Sequence, residues 1–282
     1  MHTVLEIIKK TTDFLAPKGV DNPRLNAEHL VGHVLGLKRM QLYLQFERPM
    51  VESELEQIRQ LVRRRAQREP LQYILGSTEF FGVILKVDRR ALIPRPETEH
   101  LLTLVVEKLT AAPDRLLDLG TGSGAIALAL ARHYAAARVE GVDLSNEALA
   151  LARENAVALD LSDRVTFTQS DWFAAIAAGS RYQLIVANPP YLSAVETEAT
   201  LDEVRNFEPK LALTPGETGL EALCTIIGGA RDYLGPGGLL ALETGTAQHV
   251  ELKRRFEAAG YRRCEFAPDL TGRPRFAFAW TD

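Results

Sequence analysis

Cysteine is scarce: Cys224 and Cys264 are the two in the chain. Neither has a Cys or His companion at metal-ligand spacing, which excludes a disulfide framework and a cysteine-bound metal. Two buried, reduced thiols are expected. Long uncharged apolar runs are missing as well, and none approaches the roughly 20 residues that a membrane span requires. The stretch Met1 to Lys10 carries Glu6 and a lysine pair where a secretory leader would have a basic start and an apolar core, so a cytoplasmic protein is expected. No large excess of one charge exists: the formal net charge is −4 and the pI is near 5.9. That excludes a protein built chiefly to grip phosphate backbones. The imbalance is uneven, with net +3 over residues 1–75 and −7 over the remainder.

With 46% hydrophobic and 25% charged residues, the 282-residue chain has apolar material for one large domain or two modest ones. Residues 1–75 read as helices alone. Val4, Ile7 and Ile8 begin an apolar face that Pro17 and Gly19 interrupt. Asn22-Pro23 opens a second helix that Gly36 stops, and Leu55, Ile58, Leu61 and Val62 mark a third over Glu52 to Glu69, followed by Pro70. A small all-α bundle is expected, with Arg63-Arg64-Arg65 on a solvated helix face and His29, His33 and His100 at helix surfaces.

Residues 76–96 read as a linker. Glu79 to Gly82 and Val83 to Val87 form a β-hairpin, and Leu92 to Glu97 is a proline-stiffened entry segment. From residue 97 to 282 strand and helix patterns alternate. Strands are expected at Arg115 to Leu119, Arg138 to Val142, Arg164 to Thr168, Leu184 to Ala187, Leu239 to Glu243 and Phe276 to Trp280. This rhythm belongs to an α/β, doubly wound and mostly parallel sheet with helices on both faces.

Two loops at strand ends carry chemistry. In Asp118-Leu119-Gly120-Thr121-Gly122-Ser123-Gly124, alternate glycines let the chain turn tightly and let a ligand approach the backbone. Asp143 closes the next strand, where a carboxylate can accept hydrogen bonds from two ribose hydroxyls. Together they describe a nucleoside pocket. The spacing Gly120-x-Gly122-x-x-Ala125 also fits the loose dinucleotide fingerprint. A methyl donor fits better, because Asp118 suits an ammonium and would repel a pyrophosphate. Asp171-Trp172 offers an acid and an aromatic plane to an adenine.

The second loop, Asn188-Pro189-Pro190-Tyr191, follows the fourth strand of this domain. Methylating an amide or aromatic amine requires that a planar group be held flat and its nitrogen aimed at the methyl carbon. The Asn188 side-chain oxygen and the Pro189 carbonyl can each accept one hydrogen of an NH2 group. The prolines stiffen the turn, and the Tyr191 ring is expected to pack on the planar face. These residues leave open whether the nitrogen belongs to a side-chain amide or to a nucleic-acid base (adenine N6 or guanine N2). A catalytically dead sensor or scaffold on the same fold is a third reading, disfavoured by the intact tetrapeptide.

In its motifs the chain resembles the release factor glutamine methyltransferases over nearly its whole length. Glu69 to Gly76, Glu79-Phe80-Phe81-Gly82, Leu92 to Glu99 with its Pro-Arg-Pro-Glu-Thr-Glu core, the glycine loop and Asn188 to Tyr191 stand in that family's order. So do Glu208-Pro209, Gly219-Leu220, Gly235 to Gly238, Leu242-Glu243 and Asp269 to Arg273. Phe81 departs from the tryptophan often found there. The resemblance implies a Rossmann-like class I methyltransferase domain behind a helical substrate-docking domain. It implies transfer from S-adenosyl-L-methionine, leaving S-adenosyl-L-homocysteine, to N5 of the glutamine in the Gly-Gly-Gln motif of class-1 peptide chain release factors. It also implies that Gly120 to Gly124, Asp143, Trp172 and Asn188 contact the donor and that Asn188 to Tyr191 cradle the amide. A monomer with no metal, no membrane contact and no stably bound nucleic acid is expected.

Overall fold

Helix punctuation is local and physical in the N-terminal part. In the computed structural model, which describes residues 2–214 and 216–281, Thr3 caps α1 (Val4–Leu15) in a reciprocal capping box with Glu6. Pro23 opens α2 (Pro23–Leu35), and Gly36 ends it in the left-handed conformation. Then come α3 (Arg39–Tyr43), α4 (Glu52–Ala66) and α5 (Leu71–Leu75). Val4, Ile8, Leu30, Val31, Leu42 and Ile58 form their common core.

This compact unit comprises the chain up to Gly76 and, from far downstream, Leu201–Phe207. The distant segment enters through Glu203, whose carboxylate accepts from Arg65 Nη2 at 3.0 Å and Arg68 Nη2 at 2.5 Å. Arg65 also donates to Asn26 Oδ1 at 2.7 Å and to the Glu69 carbonyl at 2.9 Å. The expected solvated arginine face is therefore corrected at one position. Arg63 is exposed and Arg64 pairs with Glu69, but Arg65 is buried, because an amide, a carbonyl and a carboxylate together replace its water.

The second unit begins at Ser77 and holds the rest of the chain. Its hairpin, β1 (Ser77–Phe80) and β2 (Val83–Lys86), turns through Phe81 and Gly82, both at positive φ as a two-residue hairpin turn demands. The hairpin, expected as a linker, groups with this unit, and Phe80, Val83 and Leu85 are buried in the unit's core. Then follow α6 (Pro96–Lys108), β3 (Arg115–Leu119), α7 (Ala125–His133), β4 (Arg138–Asp143), α8 (Asn146–Ala158), β5 (Val165–Gln169) and β6 (Tyr182–Ala187). The chain continues through α9 (Ala194–Glu198), α10 (Asp202–Phe207, in the helical unit), α11 (Glu221–Ala230), β7 (Leu234–Glu243), α12 (His249–Ala258), β8 (Arg263–Pro268) and β9 (Pro274–Trp280).

Seven strands form one sheet in the order β5-β4-β3-β6-β7-β9-β8, parallel except where β9 pairs. Alternate strand residues face opposite layers. Leu116, Leu184, Val186 and Leu239 pack with α6, α7 and α8, while Leu117, Ile185, Leu240 and Leu242 pack with α11 and α12. The edge strand β8 was not among the expected strands; its residues are half-buried at most and include Arg263 and Glu265. Both cysteines are free and half-buried. No helix of the described residues is long and apolar enough to cross a membrane.

Candidate functional site

The order of the strands places the site. β3 continues to β4 on one side and neighbours β6 on the other, which makes the β3/β6 boundary the topological switch point where such sheets bind ligands. Register sharpens this. Leu119 pairs with Ala187, and Ala187 pairs with Leu242. Gly120, Asn188 and Glu243, each one residue further on, therefore leave the sheet at the same height.

A cavity of about 540 Å³ opens there, of a size for a nucleoside-like ligand. Its wall includes Gly120, Thr121, Gly122, Ser123, Asp143, Asp171, Trp172, Asn188 and Pro190. Gly120, Gly122 and Gly124 all have positive φ, which only glycine adopts at little cost. A Cβ on Gly120 would lie 3.7 Å from the Trp172 ring and would narrow the cleft between them. Asp143 accepts from the Gly122 and Ser145 amides, each at 2.9 Å, and each oxygen keeps a lone pair for a ligand hydroxyl. Burial raises its pKa and those amides work against the rise.

Asp118 sits beneath the loop and not on the wall. Its Oδ2 accepts from the Thr121 hydroxyl at 2.6 Å and the Ala127 amide at 3.1 Å, bracing the glycine turn. Oδ1 is buried without a partner among the described residues, and burial lifts the carboxyl to about 7. The residue expected to meet a ligand ammonium lies off the cavity surface and serves as a brace for the loop. The glycine cradle, the two-sided Asp143 and the Trp172 ring thus fit a methyl-donor nucleoside.

Asn188 is half-buried and Pro189 is buried. Tyr191, expected to pack on the substrate's planar face, is not on the wall of this cavity. Its ring packs against the core on the α11/α12 side, its hydroxyl donates to Glu243 Oε1 at 2.8 Å, and the Arg275 guanidinium lies 5.5 Å over the ring. The tyrosine turns inward because a buried carboxylate awaits its hydroxyl. Gln248 Nε2 donates to the Tyr191 and Gly219 carbonyls, both at 3.0 Å, and ties the loop down behind. Gly219 is required here, since a Cβ would meet the Tyr191 carbonyl at 2.5 Å.

Residue-level reading missed Thr98 and Glu243. Thr98, in the first turn of α6, lines the cavity, donates to Glu243 Oε2 at 2.7 Å and accepts from Asn188 Nδ2 at 3.0 Å. It also missed the Arg95–Glu208 pair at 2.6 Å, with Glu208 buried. The signal was present in the Pro-Arg-Pro-Glu-Thr-Glu, Glu208-Pro209 and Leu242-Glu243 motifs, whose spacing along the chain hides that they meet.

Comparison with known proteins places the chain among methyltransferases. The PrmC N-terminal domain matches residues 6–76, and the Methyltransferase small domain matches residues 98–207. A Release factor glutamine methyltransferase of Chlorobaculum tepidum is 45% identical over 86% of this chain and 85% of its own. One of Geobacter sulfurreducens is 42% identical over 96% and 94%. Among solved structures, the hMettl16 catalytic domain in complex with the MAT2A 3'UTR hairpin 6 aligns with a TM-score of 0.60 at 19% identity, over 78% of this chain and 81% of that one. The Thermus thermophilus 16S rRNA N2 G1207 methyltransferase, in complex with AdoMet and guanosine, aligns with a TM-score of 0.52 at 21% identity, over 73% and 50%. These two share the fold.

Proposed function

Because the chain belongs to the release factor glutamine methyltransferase family, we propose that it methylates N5 of the glutamine in the Gly-Gly-Gln motif of class-1 peptide chain release factors. The observation that carries this reading is the pairing of Leu119 with Ala187, which sets Asn188 beside the glycine loop. When bound, S-adenosyl-L-methionine supplies a methyl group on a positively charged sulfur and leaves as S-adenosyl-L-homocysteine.

The chain's own residues do the positioning. Gly120, Gly122 and Gly124 keep the loop backbone bare for the donor, while Asp143 and Trp172 offer a carboxylate and a ring from the adjoining strand ends. Asn188 Nδ2 is engaged by Thr98, so Oδ1 is the side-chain atom left to accept a hydrogen of the glutamine NH2. Pro189 and Pro190 fix the turn, and Tyr191 anchors it through Glu243. A planar amide held this way aims its nitrogen without needing a strong base. Once methylated, that nitrogen is acidic enough to release its proton to water.

The helical unit is assigned the docking of the protein substrate, supported by its positive surplus. That substrate places the enzyme in the cytoplasm. Incubation with methyl-labelled donor and either a release factor or nucleic acid tests the proposal. Label on the glutamine is expected, and label in nucleic acid alone would overturn it.

A further inference from the structure

Behind the cradle lies a chain of polar groups whose hydrogens have one arrangement when Glu243 is ionised. Glu243 is 1% exposed and Thr98 is 4% exposed. Glu243 Oε1 faces the Tyr191 hydroxyl at 2.8 Å, and Oε2 faces the Thr98 hydroxyl at 2.7 Å. An ionised carboxylate only accepts, so both hydroxyl protons point at it. Threonine has one such proton. With that proton committed to Glu243, Thr98 can only accept from its other neighbour, the Asn188 side chain at 3.0 Å. Asn188 must then present its NH2 to Thr98 and keep its carbonyl oxygen on the opposite prong. The reverse orientation would set two oxygens without a proton between them in a buried place, which costs about 1–3 kcal/mol.

We infer that Thr98 and Glu243 are positioning residues that fix the polarity of the Asn188 amide, presenting its oxygen to an incoming group that carries N–H. The inference rests on the methyltransferase reading and deepens it. A cradle of this polarity accepts a glutamine NH2 and repels the carboxylate of a glutamate in the same place. It also gives a physical reason for joining the Pro-Arg-Pro-Glu-Thr-Glu segment to Leu242-Glu243, which lie 145 residues apart at the Thr98–Glu243 contact. Burial pushes the Glu243 carboxyl up, and the Thr98 and Tyr191 hydroxyls and the Arg275 guanidinium, which lies over the Tyr191 ring and donates through Nη1 to the Thr244 carbonyl at 3.2 Å, work against that rise and toward the ionised form.

The test uses the full chain with a release factor and methyl donor, comparing wild type with Thr98→Val, Thr98→Ser and Glu243→Gln. Thr98→Val keeps the shape and removes the hydroxyl. It is expected to lower kcat on the order of 10- to 100-fold with little change in KM for the donor, while Thr98→Ser recovers to within about threefold. Glu243→Gln nearly keeps the volume but adds a donor, and it is expected to slow turnover like Thr98→Val. A readout without catalysis accompanies these. Hydrogen exchange of the Asn188 side-chain NH2, followed by 15N NMR and assigned with Asn188→Ala, should speed up about tenfold or more in Thr98→Val but not in Thr98→Ser, as a lost hydrogen bond allows. Wild-type kcat in Thr98→Val, a Thr98→Ser variant as slow as Thr98→Val, or unchanged NH2 exchange would overturn the relay. If Thr98→Val does not fold, wild-type turnover by Glu243→Gln would overturn it equally. Should wild type leave the glutamine unlabelled, the functional reading fails, and the exchange comparison still decides the relay.

Discussion

The helical unit and the strand-end cluster bury charge in opposite ways. In the helical unit Glu28 has no exposed side-chain area, yet Arg24, Arg39 and Tyr43 all donate to it. Burial alone would raise its pKa, but those hydrogen bonds outweigh burial and hold it below the usual carboxylate range. Arg65 is likewise met by Asn26, Glu69 and Glu203. At the strand ends Asp118 and Glu243 are held by hydroxyls and a backbone amide, and burial leaves both carboxyls raised. Charge that is met by an opposite charge is scaffold. Carboxylates held without a direct ion pair stand here at the switch point, bracing the cavity's loops from behind its wall.

The widest test of that contrast is Asn188→Ala, which removes the acceptor that Glu243 serves through Thr98. Transfer should fall by on the order of a thousandfold while calorimetric donor affinity is retained; sustained turnover would end the cradle account. Next is Asp118→Asn, compared with the parent in urea without donor. The folded carboxyl titrates near 7 and the unfolded one near 4. Between those values the unfolded chain loses its proton while the folded chain keeps it, so this group makes stability fall as pH rises. The variant should therefore gain on the parent from pH 5 to pH 8, by up to roughly 3 kcal/mol. Parallel pH profiles would show that Asp118 is not desolvated. In the helical unit, Arg65→Met should cost about 2–3 kcal/mol in the same assay, since Glu203 is left half-buried with Arg68 alone. A variant as stable as the parent would erase the distinction between the regions. Smallest is Asp143→Ala, expected to weaken donor binding by about 1–2 kcal/mol in calorimetry, through loss of an acceptor that also has backbone partners. Unchanged affinity would move the ribose elsewhere.

Legibility followed the range of the interactions. Leu184 to Ala187 reads as a strand because an apolar run bounded by a proline turn has little alternative, and Gly120 to Gly124 reads as a ligand loop because its glycines follow a strand. Those signals are local. Arg65 looked solvated because its partners Asn26 and Glu203 are 39 and 138 residues away. Tyr191 reads as a stacking ring because its side chain is amphipathic, while the Glu243 partner of its hydroxyl lies 52 residues away and is silent in the sequence. β8 escaped notice because an edge strand with one wet side need not be apolar. Of the site, the residues facing the cavity were largely readable as chemical types at strand ends. Thr98 and Glu243 behind them needed the fold.

The common height at which Gly120, Asn188 and Glu243 leave the sheet makes strand length a catalytic parameter. Side chains alternate between the two layers, so one residue inserted in β6 would move Asn188 out of step with Gly120 and Glu243 and turn its amide toward the opposite layer. Two inserted residues would restore its face but carry it nearly 7 Å past its neighbours. The enzyme thus tolerates changes of residue in the strand interior far better than changes of number, and an insertion series in β6 would report this as an activity that neither one nor two added residues can keep.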